Sequence, residues 1–193
     1  LYLAYIAKLR FNKKVFIINH SVYPNDSGSQ IDLNSYYTKV YKAIDHVAIR
    51  EPESFNEMKD LGIKPTQSFD CLPLYIEYNY HRNNIPKENN IIIAGSANHD
   101  AIDFSVLSQY INHLSENGFT VTFLTGAPSH PAQDDFDFIT KLQDNNAQIT
   151  VCYAKSIQEW LEHIEKSSIL ISGRFHYMIA ASFLKTPCIL FNS

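Results

Sequence analysis

The chain has 193 residues, 45% of them hydrophobic and 19% charged, with a net charge of −4 at neutral pH. That length suffices for one domain or two small ones with a substantial core, and no apolar run approaches a membrane span. Residues 1–86 carry ten Lys and Arg against nine Asp and Glu, whereas residues 87–193 carry six against eleven, a poor surface for nucleic acid, which needs clustered positive charge.

The predicted elements begin with a helix over "LYLAYIAKLRFN", then strand "KVFIINH", polar loop "SVYPNDSGSQ" and helix "IDLNSYYTKVYKAI". A short strand "HVAIR" leads into helix "SFNEMKDLG", closed by Gly62 as glycine commonly closes helices. "PTQSFDCLPLYI" reads as a further short strand and its exit. The polar, aperiodic, proline-containing stretch 77–90 supplies the linker.

Beyond it one unit recurs four times: "IIIAGS", "FTVTFLTG", "QITVCYA" and "SILISG" are each followed by a helical stretch, and "PCILFN" closes the series. Continuous apolar strands alternating with helices of ten or more residues predict a parallel sheet covered on both faces. Phe104, Leu107, Ile111 and Leu114 share one helical face, as do Ile157, Trp160, Leu161 and Ile164. Ser156 with Glu159 has the spacing of a capping box.

The expected fold class is α/β, with two Rossmann-like domains whose parallel sheets are covered by helices. The expected boundaries are 1–80 for the first domain, 81–90 for the linker and 91–193 for the second. The chain opens at Leu1 inside a helix-like stretch and stops at Ser193 after a strand-like run. We therefore expect a piece of a longer protein, its first domain incomplete and its second cut short. Cys71, Cys152 and Cys188 are odd in number and widely spaced, two of them in apolar runs. Buried, reduced thiols are expected, pointing to the cytosol.

In open parallel sheets, ligands bind beyond the carboxyl ends of the strands. The loops "GSANHDA", "TGAPSHPAQDD", "YAKS" and "SGRFH" are expected at that edge. They bring Ser96, Asn98, His99, Asp100, Ser129, His130, Asp134, Lys155, Arg174 and His176 toward one rim. Arg174, the only arginine after Arg82, follows Ser172 and Gly173 at a strand end, with His176 in the first turn of the next helix. A helix N-terminus favours anions, a guanidinium adds bidentate recognition, and a histidine can donate a hydrogen bond or a proton. The alternative is an Arg174 paired with a structural carboxylate and a capped, partly buried His176.

In "IREPESF", Arg50 ends a strand, Pro52 suits a first helical turn and Ser54 lies within that turn. This corner suits an anion or hydroxyl contact, or an arginine that fixes the corner through local carbonyls or Glu53. No histidine pair has the spacing of a helical metal site, and neither GxGxxG nor GxxxxGK[ST] occurs. No metal and no bound cofactor is expected.

"DHVAIREPESF", the downstream "FDCLPL", "GFTVTFLT" and above all "ILISGRFHYMIAASFLKTPCIL" resemble the polysaccharide pyruvyl transferase family. In that family an R-E/D-x-x-S corner follows a strand, and a G/S-R-x-H motif precedes an alanine-rich helix. The resemblance runs from about Val15 to Phe191. It implies a fold similar to GT-B glycosyltransferases, with an acceptor-side first domain and a donor-side second. It implies transfer of the enolpyruvyl group of phosphoenolpyruvate onto two hydroxyls of an oligosaccharide or lipid-linked sugar, giving a pyruvate ketal for a surface polysaccharide. On that resemblance Ser172, Gly173, Arg174 and His176 hold the donor, with His176 the candidate acid. Arg50, Ser54, Ser96, Asp100 and Asp134 are further candidate contacts, the last two as guesses for the base. The expected setting is cytoplasmic, at the inner face of the membrane. Two other readings stay open: a GT-B glycosyltransferase using a nucleotide sugar, and a non-catalytic sugar- or anion-binding module.

Overall fold

Alternation of apolar strands with amphipathic helices gives two parallel α/β units, Leu1–Cys71 and Leu72–Ser193, in a computed structural model. It describes residues 1–22, 33–81, 85–96, 102–126 and 133–190. The first unit contains α1 (Tyr2–Leu9), β1 (Phe16–His20), α2 (Leu33–Ala43), β2 (His46–Ile49), α3 (Pro52–Asp60) and β3 (Thr66–Gln67), with strand order β1-β2-β3. Its core is Val40, Tyr41, Ile44, Val47, Ile49, Met58 and Ile63. Gly62 takes φ +74°, and the amides of Gly62 and Ile63 donate to Lys59 O and Met58 O. These paired bonds form a Schellman closure of α3, which requires the left-handed conformation that glycine adopts freely.

The second unit opens with α4 (Leu72–Asn79), where the sequence had suggested a strand's exit and then the linker. Its apolar residues explain the difference. Leu72, Ile76 and Tyr80 recur every four positions and are buried in the second unit's core, and Pro73 falls in the first turn, where its missing N–H costs no helical bond. Tyr80 Oη donates to buried Glu165 Oε2 at 2.6 Å. Residues 72–80, expected in the first domain, therefore pack with the second unit.

Then follow β4 (Asn90–Ser96), α5 (Phe104–Glu116), β5 (Thr120–Thr125), α6 (Gln133–Asp144), β6 (Thr150–Tyr153), α7 (Ile157–Lys166), β7 (Ile169–Gly173), α8 (Phe175–Leu184) and β8 (Cys188–Leu190). The sheet order is β6-β5-β4-β7-β8, every pairing parallel. Ile91 and Ile93 join Phe123 and Phe138 on one face, while Ile92 and Ala94 join Leu124, Trp160 and Leu170 on the other. That two-sided burial is why these strands read as unbroken apolar runs.

Leu107 and Ile111 are buried as their spacing required, with Phe104 and Leu114 packed against them. On α7, Trp160, Leu161 and Ile164 are buried but Ile157 is exposed, because it opens the helix. Ser156 Oγ accepts from the Glu159 amide, and Glu159 reaches back to the amide of Lys155, one residue before the usual capping-box partner. All three cysteines are free, but Cys71 and Cys188 are exposed and Cys152 is half-buried beside His163, contrary to the expected burial. Cys71 precedes α4 by one residue, and Cys188 lies on β8, whose residues are all exposed.

Candidate functional site

The chain moves outward from β4 through β5 to β6, then returns to place β7 on the other side of β4. This reversal makes the carboxyl ends of β4 and β7 the switch point, where open α/β sheets bind ligands. Ser96 and Gly173 are register partners there. A Cβ on Gly173 would lie 2.5 Å from Ser96 Oγ and 2.7 Å from Ser96 Cβ, so only glycine lets the strands approach this closely. Ser96 and Ser172 are fully buried.

Arg174 leaves β7 at this point as the N-cap of α8, its own side chain making no capping hydrogen bond. Its own amide donates to Ser172 Oγ at 2.9 Å, fixing the turn from strand to helix. Its side chain runs back over Gly95, and Nη2 donates to Asp135 Oδ1 at 2.5 Å. Nε is buried and has no hydrogen-bond partner among the described residues. A guanidinium has five N–H donors, and among the described residues the hydrogen bond to Asp135 uses one of them. His176 is the second residue of α8 and is exposed, its ring 5.8 Å from that of Phe175. Beneath the helix, Tyr177 is held by Trp160, edge-on at 4.9 Å, and donates to Leu124 O at 2.8 Å. Burial pushes the Tyr177 phenol well above its ordinary range, so it stays a neutral support of the corner.

The structure thus brings together Ser96, Ser172, Gly173 and Arg174, with His176 in the adjoining helical turn. Lys155 is exposed at the end of β6. Asn98, His99, Asp100, Ser129 and His130 lie outside the described residues. Asp134 is exposed; its neighbour Asp135 is the buried carboxylate that meets Arg174. The sequence held the signal for this residue. Asp135, Phe138, Ile139 and Leu142 have i, i+3, i+4, i+7 spacing, and all four are buried on α6. The alternative of a paired Arg174 therefore holds for one edge of the guanidinium. His176 is exposed rather than partly buried.

In the first unit the "REPES" corner is internally bonded. Arg50 Nη1 donates to Asp70 Oδ2 at 3.0 Å and Nε donates to Glu51 Oε1. The partner is Glu51 rather than the expected Glu53. Ser54, buried, accepts from the Val22 amide and donates to Val22 O, both at 3.0 Å. Ser21 Oγ also donates to Glu51 Oε1. The corner thereby ties the chain leaving β1 to the start of α3. Nearby, His20 Nε2 and Tyr41 Oη lie 2.6 Å apart. Burial lowers the His20 pKa and pushes that of Tyr41 up to about 12. Among the described residues no three His, Cys, Asp or Glu form a metal-binding group, and no helix is long and apolar enough to cross a membrane.

Two solved structures are similar to the chain in fold. UDP-N-acetylglucosamine 2-epimerase from Rickettsia bellii matches 95% of the chain with a TM-score of 0.60 and 13% identity. TarM matches 94% with a TM-score of 0.55 and 12% identity. The chain spans 51% of the first protein and 37% of the second. At such identities the likeness shows the fold alone, which is that of GT-B glycosyltransferases and epimerases. No curated protein sequence matches the chain. The family profile described as "Polysaccharide pyruvyl transferase" matches residues 1–193. That match covers both strand-to-helix corners, and on it the chain belongs to the polysaccharide pyruvyl transferase family.

Proposed function

We propose that this chain binds phosphoenolpyruvate at the Arg174 corner and serves transfer of its pyruvyl group to sugar hydroxyls as a ketal. The observation that carries the reading is Arg174 itself. It stands at the switch point and at the start of α8, with one guanidinium nitrogen bonded to Asp135 and the buried Nε without a partner among the described residues. Phosphoenolpyruvate is a compact polyanion with a planar carboxylate and a phosphate. A fixed guanidinium at a helix N-terminus matches both groups.

The chemistry then runs in two additions. A proton reaches the methylene carbon C3, the C2 centre becomes oxocarbenium-like, and one sugar hydroxyl oxygen bonds to C2. A second hydroxyl oxygen bonds to C2 as the C2–O bond to phosphate breaks. Of the two hydroxyl protons, one is balanced by the proton gained at C3 and the other leaves with phosphate. His176, exposed beside Arg174, is the group we assign to deliver the proton to C3 or to assist phosphate departure. The acceptor is an oligosaccharide or lipid-linked sugar, in a cytoplasmic setting at the membrane's inner face.

Calorimetric titration tests the reading. Phosphoenolpyruvate binding to the wild type, weakened about tenfold or more in Arg174→Lys through loss of the fork, is the expected result. Binding of a nucleoside diphosphate with no response to phosphoenolpyruvate would instead support nucleotide-sugar transfer. Binding without turnover under either donor would leave a non-catalytic module. His176→Ala is expected to lower turnover more than donor binding, as loss of a proton-transfer group does. Equal losses would make it a binding residue.

A further inference from the structure

We infer that Asp135 is the positioning residue for Arg174, fixing which edge of the guanidinium is presented to the donor. This rests on the reading of Arg174 as the donor-binding arginine.

Asp135 sits in the first turn of α6, yet it belongs to that helix's buried face and is only 5% exposed. Burying a carboxylate is costly unless it is paired and hydrogen-bonded. Its Oδ1 meets Arg174 Nη2 at 2.5 Å. The backbone beneath is shaped to the pair. A Cβ on Gly95 would stand 3.0 Å from Asp135 Oδ1 and 3.4 Å from Arg174 Nε. At the other end, the Ser172 Oγ bond fixes the Arg174 backbone. The arginine is thus held at its amide by β7 and at its tip by α6.

A free arginine has side-chain rotational entropy that must otherwise be lost when a ligand arrives. Asp135 removes that freedom beforehand, so the donor meets an arranged fork. The pair is also neutral overall. Its hold on an anion therefore depends on matching a planar pair of oxygens to the remaining N–H donors, more than on net charge. Lysine at 174 has no second edge to offer once its ammonium is drawn to Asp135.

A merely structural ion pair would leave donor kinetics untouched, and that separates the two roles. The experiment measures kcat, KM for phosphoenolpyruvate and the melting temperature for the wild type, Asp135→Asn, Asp135→Ala and Gly95→Ala, with a glycan acceptor. Asp135→Asn keeps an acceptor atom, so its KM should rise by no more than about fivefold, whereas Asp135→Ala should raise KM by about tenfold or more. Gly95→Ala keeps every charge but displaces the pair, and its KM should lie above that of the wild type. An unchanged KM in folded Asp135→Ala, with only the melting temperature lowered, overturns the inference. If Asp135→Ala does not fold, an unchanged KM in Gly95→Ala overturns it equally. Absence of phosphoenolpyruvate turnover in the wild type would defeat the donor reading and this inference together, and it is recognised by failure of the control alone.

Discussion

Replacing Gly173 with alanine tests the geometry on which the whole corner depends. The new Cβ would fall 2.5 Å from Ser96 Oγ, 2.7 Å from its Cβ and 3.2 Å from its Cα. Ser96 is fully buried on a central strand, so it has nowhere to retreat, and β4 and β7 must separate. Overpacking of this kind costs about 1–3 kcal/mol, and contact with a strand backbone puts Gly173→Ala near the upper end. With a urea dependence of about 2 kcal/mol per molar, the unfolding midpoint should fall by roughly 1 M or more. Trp160 is the single tryptophan and lies in the second unit's core, so its fluorescence reports the right unit. Adding Ser96→Gly removes the two closest atoms, and the nearest remaining one is Ser96 Cα at 3.2 Å. The double variant should recover part of the loss, less about 1 kcal/mol for a second glycine in a strand. An unchanged midpoint in Gly173→Ala, or no recovery in the double variant, would refute the close approach of these strands.

Tyr80→Phe leaves buried Glu165 without its phenolic donor and should cost about 1–3 kcal/mol in the same urea assay. No loss would mean that α4 is not anchored through this bond. Ser54→Ala removes both bonds to Val22 and should destabilise the first unit by about 1–2 kcal/mol, read by circular dichroism melting. Burial raises the pKa values of Tyr41, Tyr80 and Tyr177, that of Tyr41 to about 12. Their stabilising contribution is whole below the unfolded value of about 10 and is lost as pH rises through the folded values. Urea midpoints should therefore fall above about pH 10, and Tyr177→Phe should make that fall shallower; a flat alkaline profile would contradict the burial of these phenols.

Much of this fold was legible because both periods were strong. Strands with both faces buried read as apolar runs, and the spacing of Leu107 and Ile111 alone marks the buried side of α5. The α4 helix was not legible in the same way. Its eight residues lie between a two-residue strand and a polar stretch, and their helical face is defined only by packing on the second unit's core. Arg174 and His176 stand at the strand end and helix start that the local sequence indicates, because both are local signals. Asp135 was missed because its partner is 39 residues away in sequence, a contact made only when α6 and β7 pack on one sheet. Asp134, named as a guess for the base, is exposed, and the apolar spacing of α6 puts its neighbour Asp135 on the buried face. Arg50 and Ser54 are each bonded within their own unit, which accounts for the shape of that corner.

The central claim is that Arg174 holds phosphoenolpyruvate for transfer of its carbon skeleton to a sugar. The direct measurement follows isotope label from phosphoenolpyruvate into a glycan acceptor, together with phosphate release, in the wild type and in Arg174→Lys. The account predicts label in the glycan as a ketal, one phosphate released per label transferred, and a KM for phosphoenolpyruvate about tenfold or more higher in the lysine variant. Label transfer with unaltered KM in Arg174→Lys, or glycan modified only when a nucleotide sugar is supplied, would contradict it.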